Sequence, residues 1–192
     1  TNTHQGGHQV PLIISKGGGL NDKGSLRRQY QHVTDLLPTI LEMLKVEIPE
    51  ERKGQKLVPL SGSSFLKSMN HEEAESTHRL QYYEQEGHRG IYREGWSAVT
   101  CHQKRTSFEE DKWELFDLST DPTETQDLSD LHPEVLAELK DIWEEEAWAN
   151  QVFPLDEGTG LKNIVGPQWE EELARTQSFL PGTPTVERYR SL

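Results

Sequence analysis

Polar side chains suited to chemistry are concentrated at the beginning of the chain, in the run Thr3-His4-Gln5-Gly6-Gly7-His8. A hydroxyl, an imidazole and an amide side by side can bind and orient a polar ligand. The two glycines let the backbone turn or pass close to a neighbouring segment. His4 and His8 have the spacing of two metal ligands on a helix, but the glycines between them disfavour that helix, so we expect no metal ion there. Thr3, His4 and Gln5 are therefore predicted to form a polar loop.

The elements that must position this loop follow directly. Leu12-Ile13-Ile14 is apolar without alternation, which is typical of a strand buried on both faces of a parallel sheet. The plainer interpretation is a glycine turn before a core strand. After a polar stretch comes a predicted helix, with Thr34 as its N-cap and Asp35 at the positive end of its dipole. Its apolar residues recur at helical spacing: Leu36, Leu37, Ile40, Leu41 and Leu44.

The middle of the chain has the composition of a small antiparallel sheet. Four runs are rich in aromatic and β-branched residues: 80–84, 89–92, 96–101 and 113–118. Glu94-Gly95 is a plausible hairpin turn between the second and third runs. A helix is predicted from about Pro133 to Trp148, with proline in its first turn, and it should cover one face of the sheet. Glu144-Glu145-Glu146 on that helix is predicted to be a solvated surface, not a metal site.

Composition excludes several functions. The net charge of −13 argues against nucleic acid or an anionic membrane surface as a partner. No apolar run approaches the ~20 residues that cross a bilayer.

Ser63 and Ser64 lack the second glycine of a nucleophile elbow, so we interpret them as turn or cap residues.

Four motifs together resemble the arylsulfatases, members of the alkaline-phosphatase-like superfamily. The first is GG-x-x-VP at residues 6–11, and the second is V-T-D-L-L-P-T at 33–39. The third is Q-Y-Y-E at 81–84 with its following glycines, and the fourth is W-E-L-F-D-L-x-x-D-P-x-E at 113–124. Gln9 replaces an arginine common in the family, and Lys16-Gly17-Gly18 replaces W-P-G. These changes affect a loop more than the fold.

The resemblance implies an α/β, alkaline-phosphatase-like fold in three parts. Residues 1–70 would be the end of the large α/β catalytic domain. Residues 78–156 would be a small antiparallel sheet with its helix. Residues 157–192 would be an irregular tail leading to a further β-rich domain.

The resemblance also implies sulfate ester hydrolysis with a formylglycine nucleophile and calcium. Neither acidic pair of the family's calcium site is found in this chain, and Asn21-Asp22 lies in the wrong place for one. Cys101 and Arg105 have the separation of the C-x-P-x-R motif, but Gln103 takes the place of proline, so we interpret Cys101 as a buried small hydrophobe. We therefore assign no catalytic or metal-binding residue to this chain, expect it to be inactive alone, and place Thr3, His4 and Gln5 near the substrate pocket.

The expected partners are a small-molecule sulfate ester and the remainder of the same polypeptide, including a sulfate-binding lysine just before Thr1. Two alternatives stay open: a phosphonate or phosphate monoester hydrolase of the same superfamily, and a non-catalytic sulfatase-like binding module. The single cysteine leaves the compartment undetermined, although a secreted or periplasmic parent enzyme is plausible.

Overall fold

The computed structural model describes residues 2–20, residues 24–156 and the backbone of 178–179. The rest of the predicted tail, 157–192, and the Asn21-Asp22 pair lie outside the described residues. The chain divides into two compact units. We call residues 1–10 with 82–192 the sheet unit, and residues 11–81 the helix unit. In the described ranges, no helix combines the length and the apolar character that crossing a bilayer requires.

A four-stranded antiparallel sheet dominates the sheet unit. Its strands, in spatial as well as chain order, are β3 (Leu80–Gln85), β4 (His88–Arg93), β5 (Trp96–Thr100) and β6 (Trp113–Asp117). The hairpin turns are Glu86-Gly87 and Glu94-Gly95, and all four residues have positive φ, as tight two-residue hairpins require. The four predicted strands and the Glu94-Gly95 turn are confirmed.

The helix that follows the sheet is the one expected from its apolar spacing. It spans Pro133–Ala149 and is labelled α4, and it contacts β4, β5 and β6. Leu139, Trp143 and Ala147 are its buried residues, at the i, i+4, i+8 spacing of one helical face. The Trp143 Nε1–H donates to the carbonyl oxygen of Tyr83 at 3.0 Å, which satisfies its one polar group. The predicted sheet with a covering helix, of mixed α/β class, is therefore confirmed.

Short elements complete the described chain. They are α1 (Gln5–His8), α2 (Leu36–Leu44), α3 (Leu66–Asn70), a hairpin of β1 (Glu51–Arg52) and β2 (Gln55–Lys56), and an antiparallel pair of β7 (Leu155–Asp156) and β8 (Ser178–Phe179).

The helix unit is organised around one buried carboxylate. Asp35 is 0% exposed. Its Oδ2 accepts the backbone N–H of His32 at 2.7 Å, and its Oδ1 accepts both the backbone N–H of Ser63 and the Nδ1–H of His78 at 2.8 Å. One side chain thus ties together the start of α2, the turn before α3 and the segment that leads into β3. The interpretation of the two serines as turn or cap residues agrees with Ser64, whose Oγ accepts the N–H of Leu66 at 3.3 Å at the start of α3, while Ser63 contributes its backbone N–H to Asp35.

The helix beginning at Leu36 is confirmed, but its predicted cap is wrong. Thr34 lies inside a 3-10 turn, Val33–Asp35, that precedes α2. The capping residue is His32, which forms a reciprocal capping box with Asp35. The Asp35 N–H also donates to the His32 carbonyl oxygen at 2.9 Å, so the 3-10 turn extends the start of the helix from Leu36 back to Val33.

The predicted central strand at Leu12-Ile13-Ile14 is also wrong. Residues 10–15 form no strand, and Leu12 and Ile13 are 52% and 92% exposed. A strand needs neighbours for its backbone groups, and no strand in the described ranges pairs with this run. Exposed large hydrophobic side chains lie almost entirely between residues 10 and 60 of the described chain.

Candidate functional site

The candidate site is built on residues 2–5, here called the pocket segment, which lies against the small sheet. Thr3 is buried, and its hydroxyl donates to the carbonyl oxygen of Arg89 in β4 at 2.8 Å. Gly90 makes this close approach possible, since a Cβ there would lie 3.1 Å from the Thr3 Cβ. A buried hydroxyl that is fully engaged in this way anchors the segment and is not available as a nucleophile.

The Gly6-Gly7 pair does not form an open turn. Residues 5–8 make the single helical turn α1, so the expectation that the glycines forbid a helix is wrong. The physical requirement is close packing, because a Cβ on Gly7 would lie 2.1 Å from the carbonyl oxygen of Asn2.

His4 is the most chemically versatile side chain of the pocket segment. Its Nδ1 lies 2.7 Å from Asn2 Oδ1, and its Nε2 lies 3.1 Å from Glu114 Oε2 in β6. Each ring nitrogen thus faces a side-chain oxygen, and the two contacts fix the orientation of the ring.

Cys101 completes this cluster from the end of β5. Its Sγ lies 3.2 Å from Asn2 Oδ1 and 3.8 Å from His4 Nδ1. The interpretation of Cys101 as a buried hydrophobe is wrong, because the residue is exposed. It follows the last residue of the strand, where the pocket segment covers it only in part. Desolvation of the thiol, together with Glu114, raises the pKa of Cys101, so its thiolate form is disfavoured.

Gln5 is held through its backbone. Its N–H donates to Glu124 Oε2 at 2.7 Å, and Glu124 Oε1 accepts the hydroxyl of Ser97 in β5 at 3.0 Å. Glu124 belongs to the D-P-x-E part of the fourth motif, and Asp121 builds its turn by accepting the N–H groups of Thr125 and Gln126 at 2.7 and 2.8 Å. These hydrogen bonds lower the pKa of the Asp121 carboxyl.

His8 contacts different partners from His4. Its Nε2 lies 2.9 Å from the carbonyl oxygen of Thr3, and its ring stacks on Tyr83 with centroids 4.1 Å apart. Burial lowers the pKa of His8, with the Thr3 carbonyl acting against this effect. The two histidines therefore do not converge on one point. In the ranges that the structure describes, no group of three or more His, Cys, Asp or Glu side chains could hold a metal ion.

A buried ionic network lies beneath the pocket segment in the sheet unit. Arg89, whose carbonyl receives the Thr3 hydroxyl, pairs with Asp111 at 2.6 Å, and Asp111 also contacts His102 Nδ1 at 3.0 Å. The Arg89 guanidinium lies 5.2–5.7 Å from the ring centroids of Phe108, Trp113 and Trp143. Burial lowers the pKa of Arg89, and Asp111 opposes the shift. This network fixes the backbone of β4 that receives the pocket segment.

The sequence identified part of this cluster. Thr3, His4 and Gln5 lie together on one surface of the sheet, and their role in a substrate pocket stays a prediction. Asn2, Glu114 and Glu124 were missed, although the last two belong to a motif that the sequence had already singled out. Glu114 and Glu124 are 110 and 119 residues away from their partners along the chain, so local spacing gives no signal of those contacts.

Comparison with known proteins identifies relatives over most of the chain. Residues 3–148 match the family model described as "N-sulphoglucosamine sulphohydrolase, C-terminal". An uncharacterized sulfatase of Schizosaccharomyces pombe (strain 972 / ATCC 24843) is 29% identical over 143 residues, which cover 72% of this chain and 25% of that protein. This chain therefore spans about a quarter of the length of that relative.

Two solved structures match a comparable share of this chain. The crystal structure of Ps i-CgsB has a TM-score of 0.48 at 17% identity, and the match covers 81% of this chain and 30% of the other. A protein solved in complex with its substrate D-glucosamine-2-N,6-O-disulfate has a TM-score of 0.42 at 19% identity, with 62% and 24% covered.

Proposed function

Because this chain belongs to the family of sulfatase C-terminal regions, we propose that it is part of an arylsulfatase-type enzyme that hydrolyses sulfate esters. The match of residues 3–148 to that family is the observation that carries the proposal. It includes the pocket segment from Thr3 onward, the whole small sheet and all but the end of α4.

In this proposal the chain supplies one wall of the pocket and not the reacting groups. A formylglycine and a calcium ion would supply the nucleophile and the charge neutralisation, and other parts of the polypeptide would hold both. The described residues of this chain do not fit a metal ion, since no suitable ligand cluster is found among them. A lysine immediately before Thr1 would bind the sulfate.

The role of His4 follows from its surroundings. Its ring is held between Asn2 and Glu114, so its position is fixed. A fixed, half-buried imidazole next to the proposed sulfate site would shape the pocket. We therefore propose that His4 contributes to substrate binding, while the lysine contributes more to turnover.

The test is an assay of the longer protein that contains this chain, with calcium and 4-nitrophenyl sulfate. N-sulphoglucosamine and a phosphonate monoester serve as the competing substrates. We expect sulfate release, with the lysine variant losing about 100-fold in turnover, by analogy with loss of one charge-stabilising donor, and His4→Ala losing about tenfold or less. His71→Ala, at an exposed histidine of the helix unit, is the matched control.

Two results would contradict the proposal. Preferential hydrolysis of the phosphonate would support the monoester hydrolase alternative, and binding without turnover of any substrate would support the inert module. Separately, the 192-residue chain alone should not cleave 4-nitrophenyl sulfate. Turnover by this chain that disappears in Cys101→Ala would show that the C-x-x-x-R arrangement at Cys101 is catalytic after all.

A further inference from the structure

We propose that Glu124 is a positioning residue, whose carboxylate holds the pocket segment on the small sheet and so sets where His4 stands. The consequence for catalysis rests on the function proposed above. The holding itself is a property of this chain and can be tested without any activity.

The first observation is that Glu124 bridges two elements that nothing in the local sequence connects. One carboxylate oxygen accepts the N–H of Gln5 at 2.7 Å, and the other accepts the hydroxyl of Ser97 at 3.0 Å. Ser97 is buried in β5, where it pairs in register with Phe116 of β6. The bridge therefore runs from the interior of the sheet to the pocket segment.

The second observation is that the chain adopts an unfavourable backbone conformation to place this carboxylate. Glu124 has φ of +55°, a left-handed conformation that is uncommon for a residue with a Cβ. The preceding turn supports it, because the Glu124 N–H donates to the Asp121 carbonyl at 3.2 Å and the Asp121 side chain caps the next two N–H groups. The turn formed by the D-P-x-E motif thus fixes the position of the Glu124 carboxylate.

The third observation is that His4 lies between two fixed points. Thr3 is anchored to β4 through its hydroxyl, and Gln5 is anchored to Glu124 through its backbone. With both neighbours held, the His4 backbone cannot rotate freely, and its ring reaches Glu114 at 3.1 Å. Loss of the Glu124 anchor leaves only the Thr3 side of this arrangement.

The central variant is Glu124→Gln, which keeps the shape of the side chain. The amide oxygen can still accept the N–H of Gln5 while the amide NH₂ donates to the hydroxyl oxygen of Ser97, so the variant keeps both contacts and removes only the negative charge of the acceptor. Hydrogen exchange of residues 2–9, measured on the chain as it stands, should accelerate by about five- to tenfold, the factor that corresponds to exchanging a charge-assisted hydrogen bond for a neutral one. Glu110→Gln removes an exposed carboxylate of the same unit and should change nothing.

A double-mutant cycle tests the contact itself. Gln5→Pro removes the N–H that Glu124 accepts, and proline is tolerated at the first position of a helix. It also removes the buried Gln5 side chain, so Gln5→Ala, which keeps the N–H, is the reference for that loss. Proline also suits its neighbour, because His4 is already extended, with φ of −67° and ψ of 158°. If the contact matters, Glu124→Gln should accelerate exchange in the wild-type background and have little further effect in the Gln5→Pro background.

The kinetic test uses the longer protein. Glu124→Gln should raise KM several-fold while kcat stays within about twofold, since a misplaced pocket wall weakens ground-state and transition-state binding alike. If Glu124 were merely structural, Glu124→Gln would lower the amount of folded enzyme and leave the KM of the folded fraction unchanged. The proposal is overturned if exchange of residues 2–9 is unchanged in Glu124→Gln, or if exchange accelerates and KM does not move. A longer protein without sulfatase activity would count against the proposed function, and the exchange cycle would still decide whether Glu124 holds the segment.

Discussion

Asp35 offers the sharpest test of how the helix unit is held together, through the change Asp35→Ala. The variant removes the acceptor of three donors, the N–H groups of His32 and Ser63 and the imidazole of His78. Because the carboxylate is 0% exposed, water cannot replace it without opening the unit. Each buried donor left unpaired costs about 1–3 kcal/mol.

We take about 3–5 kcal/mol as the expected loss, because the three donors share one acceptor and their costs do not add. At about 1.4 kcal/mol per factor of ten, this accelerates opening by at least about 100-fold. Hydrogen exchange of α2 and of residues 62–70 is the suitable assay, since the two units need not unfold together. Exchange of β5 and β6 in the sheet unit should not change.

Two further variants test whether the effect of Asp35→Ala comes from the lost hydrogen bonds. Asp35→Asn keeps one oxygen acceptor but turns an NH₂ group towards a donor, so its effect should be intermediate. Glu42→Ala, at an exposed position of α2, is the control and should have no effect. A change of less than about tenfold in Asp35→Ala would show that the three contacts do not hold the unit, and the reasoning from burial would fail.

Three other changes test the sheet unit. Gly7→Ala should release the pocket segment, because its Cβ would lie 2.1 Å from the Asn2 carbonyl, and faster exchange of residues 2–9 would show it. Arg89→Met should destabilise the sheet unit by about 3–5 kcal/mol in chemical denaturation, since Asp111 loses its main counter-ion in the interior; an unchanged midpoint would contradict this. Because burial lowers the pKa of His8, the unfolded chain binds more protons than the folded one, so stability falls as the pH drops below about 6.5. His8→Phe, which can keep the stacking on Tyr83, should flatten the melting temperature between pH 7 and pH 5.

The sheet and its covering helix could be predicted because their signals are local. Each strand is a short aromatic and β-branched run, and Glu94-Gly95 has the residue types that a two-residue hairpin demands. The apolar spacing of Leu139, Trp143 and Ala147 gives the buried face of α4 directly. Strands that follow one another in the chain also pair with one another in the sheet, so the order of the strands follows from the order of the sequence.

The predictions that failed depend on partners elsewhere in the chain. The apolar run at Leu12-Ile13-Ile14 has strand composition, but composition cannot supply the neighbouring strands. The cap at Thr34 failed because His32 and Asp35 satisfy each other in a capping box. Cys101 was expected to be buried from its residue type alone, whereas its exposure depends on how completely the pocket segment covers the end of β5.

The contacts of the pocket segment also explain why two motifs that are about 100 residues apart belong together. Thr3, His4 and Gln5 each have a partner in the sheet unit: the backbone of β4, a side chain of β6 and the D-P-x-E turn. The pocket segment runs directly into the first motif, and this stretch cannot hold its own conformation, since α1 is a single turn containing two glycines. The fourth motif supplies Glu114 and Glu124, which face that segment. A substitution in either motif therefore changes the geometry of the other, and variants of the two should show coupled effects.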